Sequence, residues 1–159
     1  VLIRTSDPLD VIALPVPTAL RVVVVHPHTE VLTAEARRLV AERHYTIGQV
    51  VQNLGNVAAL VTALHQENLA LFARSISDAL VEPVRAPLVP GYATVKKAAL
   101  DAGALGCSIS GSGPSVVAFA DSDTLADHVA TAIEDAFLRH SLTSNRYVGP
   151  VNGTGAQVV

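Results

Sequence analysis

Residues 106–115 read "GCSISGSGPS", with three glycines, four serines and a proline in ten positions. Apolar runs flank the stretch, "ALGCSI" before it and "SVVAFA" after it. Two readings are open locally. One is a tight turn between two strands, for which glycine and serine are ordinary. The other is a loop shaped to hold a charged ligand. Gly111 and Gly113 allow backbone geometry that other residues resist, and let a ligand come close to the main chain. Successive exposed N–H groups in such a turn form an anion-binding concavity, and Ser108, Ser110 and Ser112 add hydroxyl donors. That combination suits phosphate. Composition alone does not choose between the readings.

Outward from the loop, the apolar pattern alternates between strand and helix character. "LRVVVVHP" (20–27) is a β-branched run and reads as a strand. "VLIRT" (1–5) is a short apolar stretch closed by "SDPLD". "DVIALPVP" (10–17) ends in Pro15 and Pro17, which suit an edge strand or its end. Residues 33–44 predict a helix with Thr33 as N-cap and Glu35 in the first turn, where the dipole favours an acid. Residues 46–65 predict a longer helix, and 67–80 another through Leu69, Phe72, Ile76 and Leu80. "EPVRAPLVPGY" (82–92) breaks the pattern with three prolines and reads as a structured loop. A helix follows from about Tyr92 to Asp101, stopped at Gly103. After the loop, residues 123–139 predict a helix with Leu125, Val129, Ile133 and Phe137 on one face. Strands around "NRYVGPV" and "GAQVV" close the chain. Strands do not alternate one-for-one with helices, which argues against a doubly wound parallel sheet. The pattern predicts an α+β domain, an antiparallel sheet with helices packed on one face.

The chain has 159 residues, 50% of them apolar and 16% charged, with net charge −3, enough for one compact domain with a core. Lys/Arg-rich runs are absent, so charge gives no case for nucleic acid or an anionic membrane. The longest apolar runs are short and interrupted, which predicts no bilayer span. "VLIRTSDPLD" lacks the cationic start and apolar core of a signal peptide. The single cysteine, Cys107, forms no internal disulfide, and a reduced cytoplasmic setting is the default expectation. The chain contains no methionine and opens on Val1. We read it as a piece of a longer protein or a processed product, against the alternative of a Met-poor chain with its initiator removed. The expectation is one domain over 1–159.

Several familiar signatures are missing: G-x-x-x-x-G-K-[ST], G-x-G-x-x-G and G-x-S-x-G. His26 and His28 flank Pro27 without a third metal ligand, and read as loop-packing or surface residues. Cys107 reads as a buried small hydrophobe. Thr33 and Arg37 are four apart and share one helix face, while Arg38 points elsewhere. Arg85 sits in the proline-stiffened segment. Arginine suits bidentate capture of a carboxylate, so two arginines beside a phosphate loop would suit a carboxylate-bearing substrate that receives a phosphoryl group. The competing reading makes each arginine a surface residue or an ion-pair partner of Glu35 or Glu82.

"GCSISGSGPSVVAFAD" resembles the C-terminal motif of the GHMP small-molecule kinases. "HPHTEVLTAEARRLV", "EPVRAPLVPGY" and the tail "GAQVV" are similar to the homoserine kinase branch of that superfamily, over essentially the whole chain and in the same order. The resemblance implies a ferredoxin-like C-terminal domain and ATP-dependent phosphorylation of the L-homoserine hydroxyl, on the route to threonine. It implies that Thr33, Arg37 and Arg85 line the homoserine site, with the arginines on the carboxylate. It implies that Ser110, Gly111, Ser112 and Gly113 form a glycine loop beside the phosphates of ATP. The superfamily's main phosphate loop, of P-x-x-x-G-L-G-S-S-A type, is absent, and so is the N-terminal region that supplies the carboxylate for Mg²⁺. The expected partners are therefore L-homoserine, ATP and the missing N-terminal half, with a homodimer left open, and this chain alone is expected to be inactive, with no catalytic residue assigned to it. Two other readings stand beside this one: a mevalonate-type kinase of the same superfamily, and a non-catalytic ferredoxin-like module for amino-acid binding or dimerisation.

Overall fold

The computed structural model describes residues 1–153 and Gly155. The chain opens with an isolated antiparallel hairpin, β1 (Leu2–Ser6) and β2 (Leu9–Ile12). β3 (Arg21–Pro27) then enters a separate sheet, followed by four helices: α1 (Thr33–Ala41), α2 (Ile47–His65), α3 (Leu69–Ser75) and the single turn α4 (Glu82–Arg85). After a 3-10 turn at Ala86–Leu88 come α5 (Tyr92–Asp101), β4 (Gly106–Ile109), β5 (Val116–Ala120), α6 (Asp123–Leu138) and β6 (Ser144–Pro150). The main sheet has the order β4-β5-β3-β6, with every pair antiparallel. β5 lies between β3 and β4, the split βαβ arrangement of a ferredoxin-like α+β domain.

One face of this sheet is the core. Cys107, Ala118 and Val23 sit in register across three strands. They are buried with Val25, Val116 and Ala120 against Val95 and Ala99 of α5 and Val129, Ile133 and Phe137 of α6. The period-two burial along β3 and β5 follows from side chains alternating across the pleat. The other face is covered at its β4–β5 end by α2 and α3. Phe72 meets Phe119 edge-on, with ring centroids 5.2 Å apart. The Ile76 side chain occupies the space beside Gly106, where an added Cβ would lie 2.5 Å from Ile76 Cγ2. Glycine is required at this position so that the end of α3 can reach the strand.

Several local expectations shift. The N-cap of α1 is Leu32, with no side-chain capping bond, and Thr33 is the first helical residue. Its hydroxyl is therefore available to a neighbour. α3 stops at Ser75 rather than near residue 80, because Asp78 takes over the following amides. Its carboxylate accepts from the N–H groups of Leu80, Val81 and Glu82 at 2.8, 2.9 and 3.0 Å. Those bonds start α4 inside the segment read as a loop. The tail "GAQVV" lies outside the described residues apart from Gly155.

α2 corrects the reading of the interrupted apolar runs. By length and composition this 19-residue helix suffices to cross a bilayer. Its polar side is nevertheless engaged with the domain. Asn56 donates to the Ser77 carbonyl at 2.8 Å, and Asn53 accepts from the Ala79 N–H at 3.0 Å. Thr46 and Gln49 close a capping box at its start, and Ala63 and Leu64 are buried at its end.

Candidate functional site: the glycine hairpin and two arginines

β4 is an edge strand, and its exit feeds the loop 110–115. The loop closes on itself through two backbone bonds. Ser110 N–H donates to the Ser115 carbonyl at 2.8 Å, and Gly113 N–H donates to the Ser110 carbonyl at 3.1 Å. Gly111 and Gly113 take φ of +61° and +83°, the left-handed region that favours glycine. The stretch is thus a hairpin connection. The N–H groups of Gly111 and Ser112 have no acceptor among the described residues, so the same turn offers two adjacent donors outward. Gly113 does not offer its N–H, which is spent on closing the turn. Ser108 is also removed from the loop's donor set, because its hydroxyl donates to Glu82 Oε2 at 2.9 Å.

Two helices converge on this loop. α1 brings Thr33, whose Oγ1 lies 3.4 Å from Ser112 Oγ. Arg37, one turn further along α1, is exposed and takes part in no hydrogen bond or ion pair among the described residues. α4 brings Arg85, whose Nη1 donates to the Gly111 carbonyl at 2.8 Å. Arg85 Nε is buried and has no hydrogen-bond partner. α1 and α4 pack against each other, so Arg37 and Arg85 come from adjoining elements.

The carboxylates that would have made these arginines structural are occupied elsewhere. Glu35 pairs with Arg38 at 2.7 Å, and Arg38 also reaches Glu42. The hydrogen bonds from Arg38 hold the Glu35 carboxyl below its ordinary range. Glu82 pairs with Lys96 of α5. Arg37 and Arg85 therefore have no carboxylate partner among the described residues, and Arg85 lies against the loop.

His26 is hydrogen-bonded through Nδ1 to Ser115 Oγ at 2.8 Å, and His28 through Nδ1 to Thr143 Oγ1 at 2.8 Å. Both histidines brace loops, His26 the far end of the glycine hairpin. Cys107 is fully buried on the core face. The sequence reading missed Asp78, Lys96 and the α2 amides, and took Glu82 only as a possible partner for an arginine. A helix-start signal was present, since Asp78 stands just ahead of Pro83, a residue that suits a first turn. Three prolines within eight residues masked it.

A cavity of about 350 Å³ opens between α1 and α4, lined by Leu39, Tyr45, Gln49, Leu80 and Val84 among others. It contains none of Thr33, Arg37, Arg85 or the loop residues.

The family model for GHMP kinases C terminal matches residues 60–139, which include β4, the glycine loop, β5 and α6. The chain belongs to the GHMP kinase C-terminal family. Over the whole chain it is 48% identical to a homoserine kinase of Chlorobium phaeovibrioides and 46% identical to one of Chlorobaculum tepidum, covering 50% and 49% of those proteins. A crystal structure of homoserine kinase from Cytophaga hutchinsonii superposes with a TM-score of 0.92 at 46% identity, over 94% of this chain and 47% of that one. The chain thus spans about half the length of the curated relatives it matches. Mevalonate kinase of L. major, at 18% identity and a TM-score of 0.63, shares the fold. The ferredoxin-like α+β expectation for a GHMP kinase C-terminal domain agrees with the structure and with the family match.

Proposed function

We propose that this chain is the C-terminal half of a homoserine kinase. The whole protein would move the γ-phosphoryl of ATP onto the hydroxyl oxygen of L-homoserine, releasing ADP and the hydroxyl proton and supplying O-phospho-L-homoserine for threonine synthesis in the cytoplasm. The observation that carries the reading is Arg85, without a carboxylate partner and bonded to a glycine turn that has two outward N–H groups, with the exposed Arg37 on the adjoining helix. An amino-acid carboxylate supplies the missing charge for the arginines, and guanidinium matches it bidentately. Thr33 Oγ1, next to Ser112, is positioned to bond the same substrate. Gly111 and Ser112 would donate backbone N–H groups to phosphate oxygens, with Ser110 and Gly113 holding the turn in shape. Whole-chain similarity to homoserine kinases favours this substrate over a mevalonate-type one.

The described residues include no cluster of three or more His, Cys, Asp or Glu suited to a metal ion. Mg²⁺ and its carboxylate ligand are assigned to the other half, together with the main phosphate loop. Phosphoryl transfer depends on positioning and charge neutralisation, so half a site does not suffice. The test is a coupled ADP-release assay with ATP, Mg²⁺ and L-homoserine, run on this chain alone and mixed with its N-terminal half. Turnover is expected only in the mixture or in the joined protein. Turnover by this chain alone, or failure of the joined protein to phosphorylate homoserine, overturns the reading.

A further inference from the structure

A helix of one turn cannot hold its own geometry, because the cost of nucleation exceeds what a single hydrogen bond returns. α4 is such a helix, and it carries Arg85. Its orientation must come from outside. At its first residue, the Glu82 side chain is only 11% exposed. The Glu82 carboxylate accepts from Lys96 Nζ of α5 through one oxygen and from Ser108 Oγ of β4, at 2.9 Å, through the other. The nearby Tyr92 hydroxyl is buried without a hydrogen-bond partner, and burial, with the charge of Glu82, drives its ionisation above the ordinary phenol range. Glu82 therefore ties α4 to the free edge of β4 and to α5 at one point. Ser108 stands two residues before Ser110, where the glycine turn begins, and Arg85 reaches that turn three residues after Glu82.

We propose that the Glu82–Lys96 ion pair, with Ser108, is a positioning device that sets the Arg85 guanidinium against the glycine turn, and so sets recognition of the substrate carboxylate. This rests on the reading of Arg85 as a carboxylate ligand. The pair bonds to none of Thr33, Arg37, Arg85 or turn residues 110–113. A partly buried pair at a strand edge returns little net stability after desolvation, whereas loss of one partner leaves the other uncompensated. Its consequence is geometric, since it fixes the lateral position of α4 to within a hydrogen-bond length on two sides.

The test is made in the full-length protein with L-homoserine and with homoserine amide, whose carboxamide is neutral. Arg85→Ala is the reference. It should raise the homoserine KM and collapse the preference for homoserine over its amide. Glu82→Gln and Lys96→Met should each raise the homoserine KM roughly tenfold and lower that preference, since a misplacement of about 1 Å costs up to about 100-fold. The ATP KM should stay near its starting value. Glu82→Gln combined with Arg85→Ala should show the same preference as Arg85→Ala alone, because the device acts only through Arg85. A merely structural role would lower the unfolding midpoint and leave the preference unchanged. If Arg85→Ala keeps the preference, the carboxylate reading itself is wrong. If Arg85→Ala loses it while Glu82→Gln and Lys96→Met, whichever fold, both keep it, the positioning proposal is wrong and the carboxylate reading stands.

Discussion

Arg85 Nη1 donates to the Gly111 carbonyl at 2.8 Å, a bond that joins a one-turn helix to the tip of the glycine hairpin across 26 positions of sequence. The two candidate subsites, the arginines and the glycine turn, therefore share a side chain. Arg85→Lys keeps the charge and loses the planar fork, which alone can bond the Gly111 carbonyl and present further N–H donors to a carboxylate. A charge-assisted hydrogen bond is worth about 1.5–3 kcal/mol, so the homoserine KM of the full-length protein should rise by about 10- to 100-fold. Steady-state kinetics with varied homoserine at saturating ATP checks this, and an unchanged KM removes Arg85 from the site.

Asp78 governs the same helix from its other end. Its carboxylate accepts from three successive amides, Leu80, Val81 and Glu82. Asp78→Ala strands those amides and should cost about 1–2 kcal/mol, the usual range for a lost helix cap. Asp78→Asn retains one acceptor oxygen and should cost less. Urea unfolding read as a midpoint shift at constant slope measures both. Equal midpoints for wild type and Asp78→Ala would show that water replaces the cap without loss.

These two residues also mark what was legible in the sequence. The β-branched run 20–27, the period-two "SVVAFA" and the apolar stripe of 123–139 gave β3, β5 and α6 with small boundary errors, because burial on one face leaves a periodic trace. Arg37 and Arg85 were legible as candidates through residue type and stiffened context. Glu82 and Lys96 were not, since an ion pair between residues 14 apart leaves no periodicity, and Glu82 was instead considered as a partner for Arg85. α3 was read too long for the same kind of reason. Ile76 continues the helical apolar spacing, but its side chain packs beside Gly106 from the helix terminus, a tertiary contact that periodicity does not reveal.

Cys107 carries a pH prediction. Burial pushes its thiol up to about 12, with Lys96 opposing and Glu82 adding to the rise. An unfolded thiol ionises near pH 9, so above that pH the unfolded state binds fewer protons than the folded one. By linkage, the contribution of Cys107 is fully present below about pH 9 and is lost as pH rises toward 12. Unfolding free energy measured between pH 8 and 11 should fall, and Cys107→Ala should fall less steeply over the same range. At pH 8 the native thiol should resist alkylation and react only after denaturation. Rapid labelling of the native protein would contradict the burial.

The glycine hairpin makes a last prediction by its asymmetry. Both Gly111 and Gly113 take positive φ, so alanine at either meets the left-handed cost of roughly 1–2 kcal/mol. Their surroundings differ. A Cβ at Gly111 would have nothing within 4 Å, whereas one at Gly113 would lie 3.2 Å from Val89 Cγ2 and 3.4 Å from Ile109 Cγ2. Val89 is buried, so it has little room to give. Gly113→Ala should therefore lose more stability than Gly111→Ala, by about 1 kcal/mol or more from crowding. Activity should order the other way relative to stability. Gly111→Ala sits on the open side of the turn, where its methyl group would obstruct the approach of a phosphate, and should raise the ATP KM while its unfolding midpoint falls only by the left-handed cost, less than that of Gly113→Ala. Measuring the midpoint and the ATP KM for both variants separates a turn that merely connects two strands from one that also faces a nucleotide: in the first case, the ATP KM of Gly111→Ala would not move.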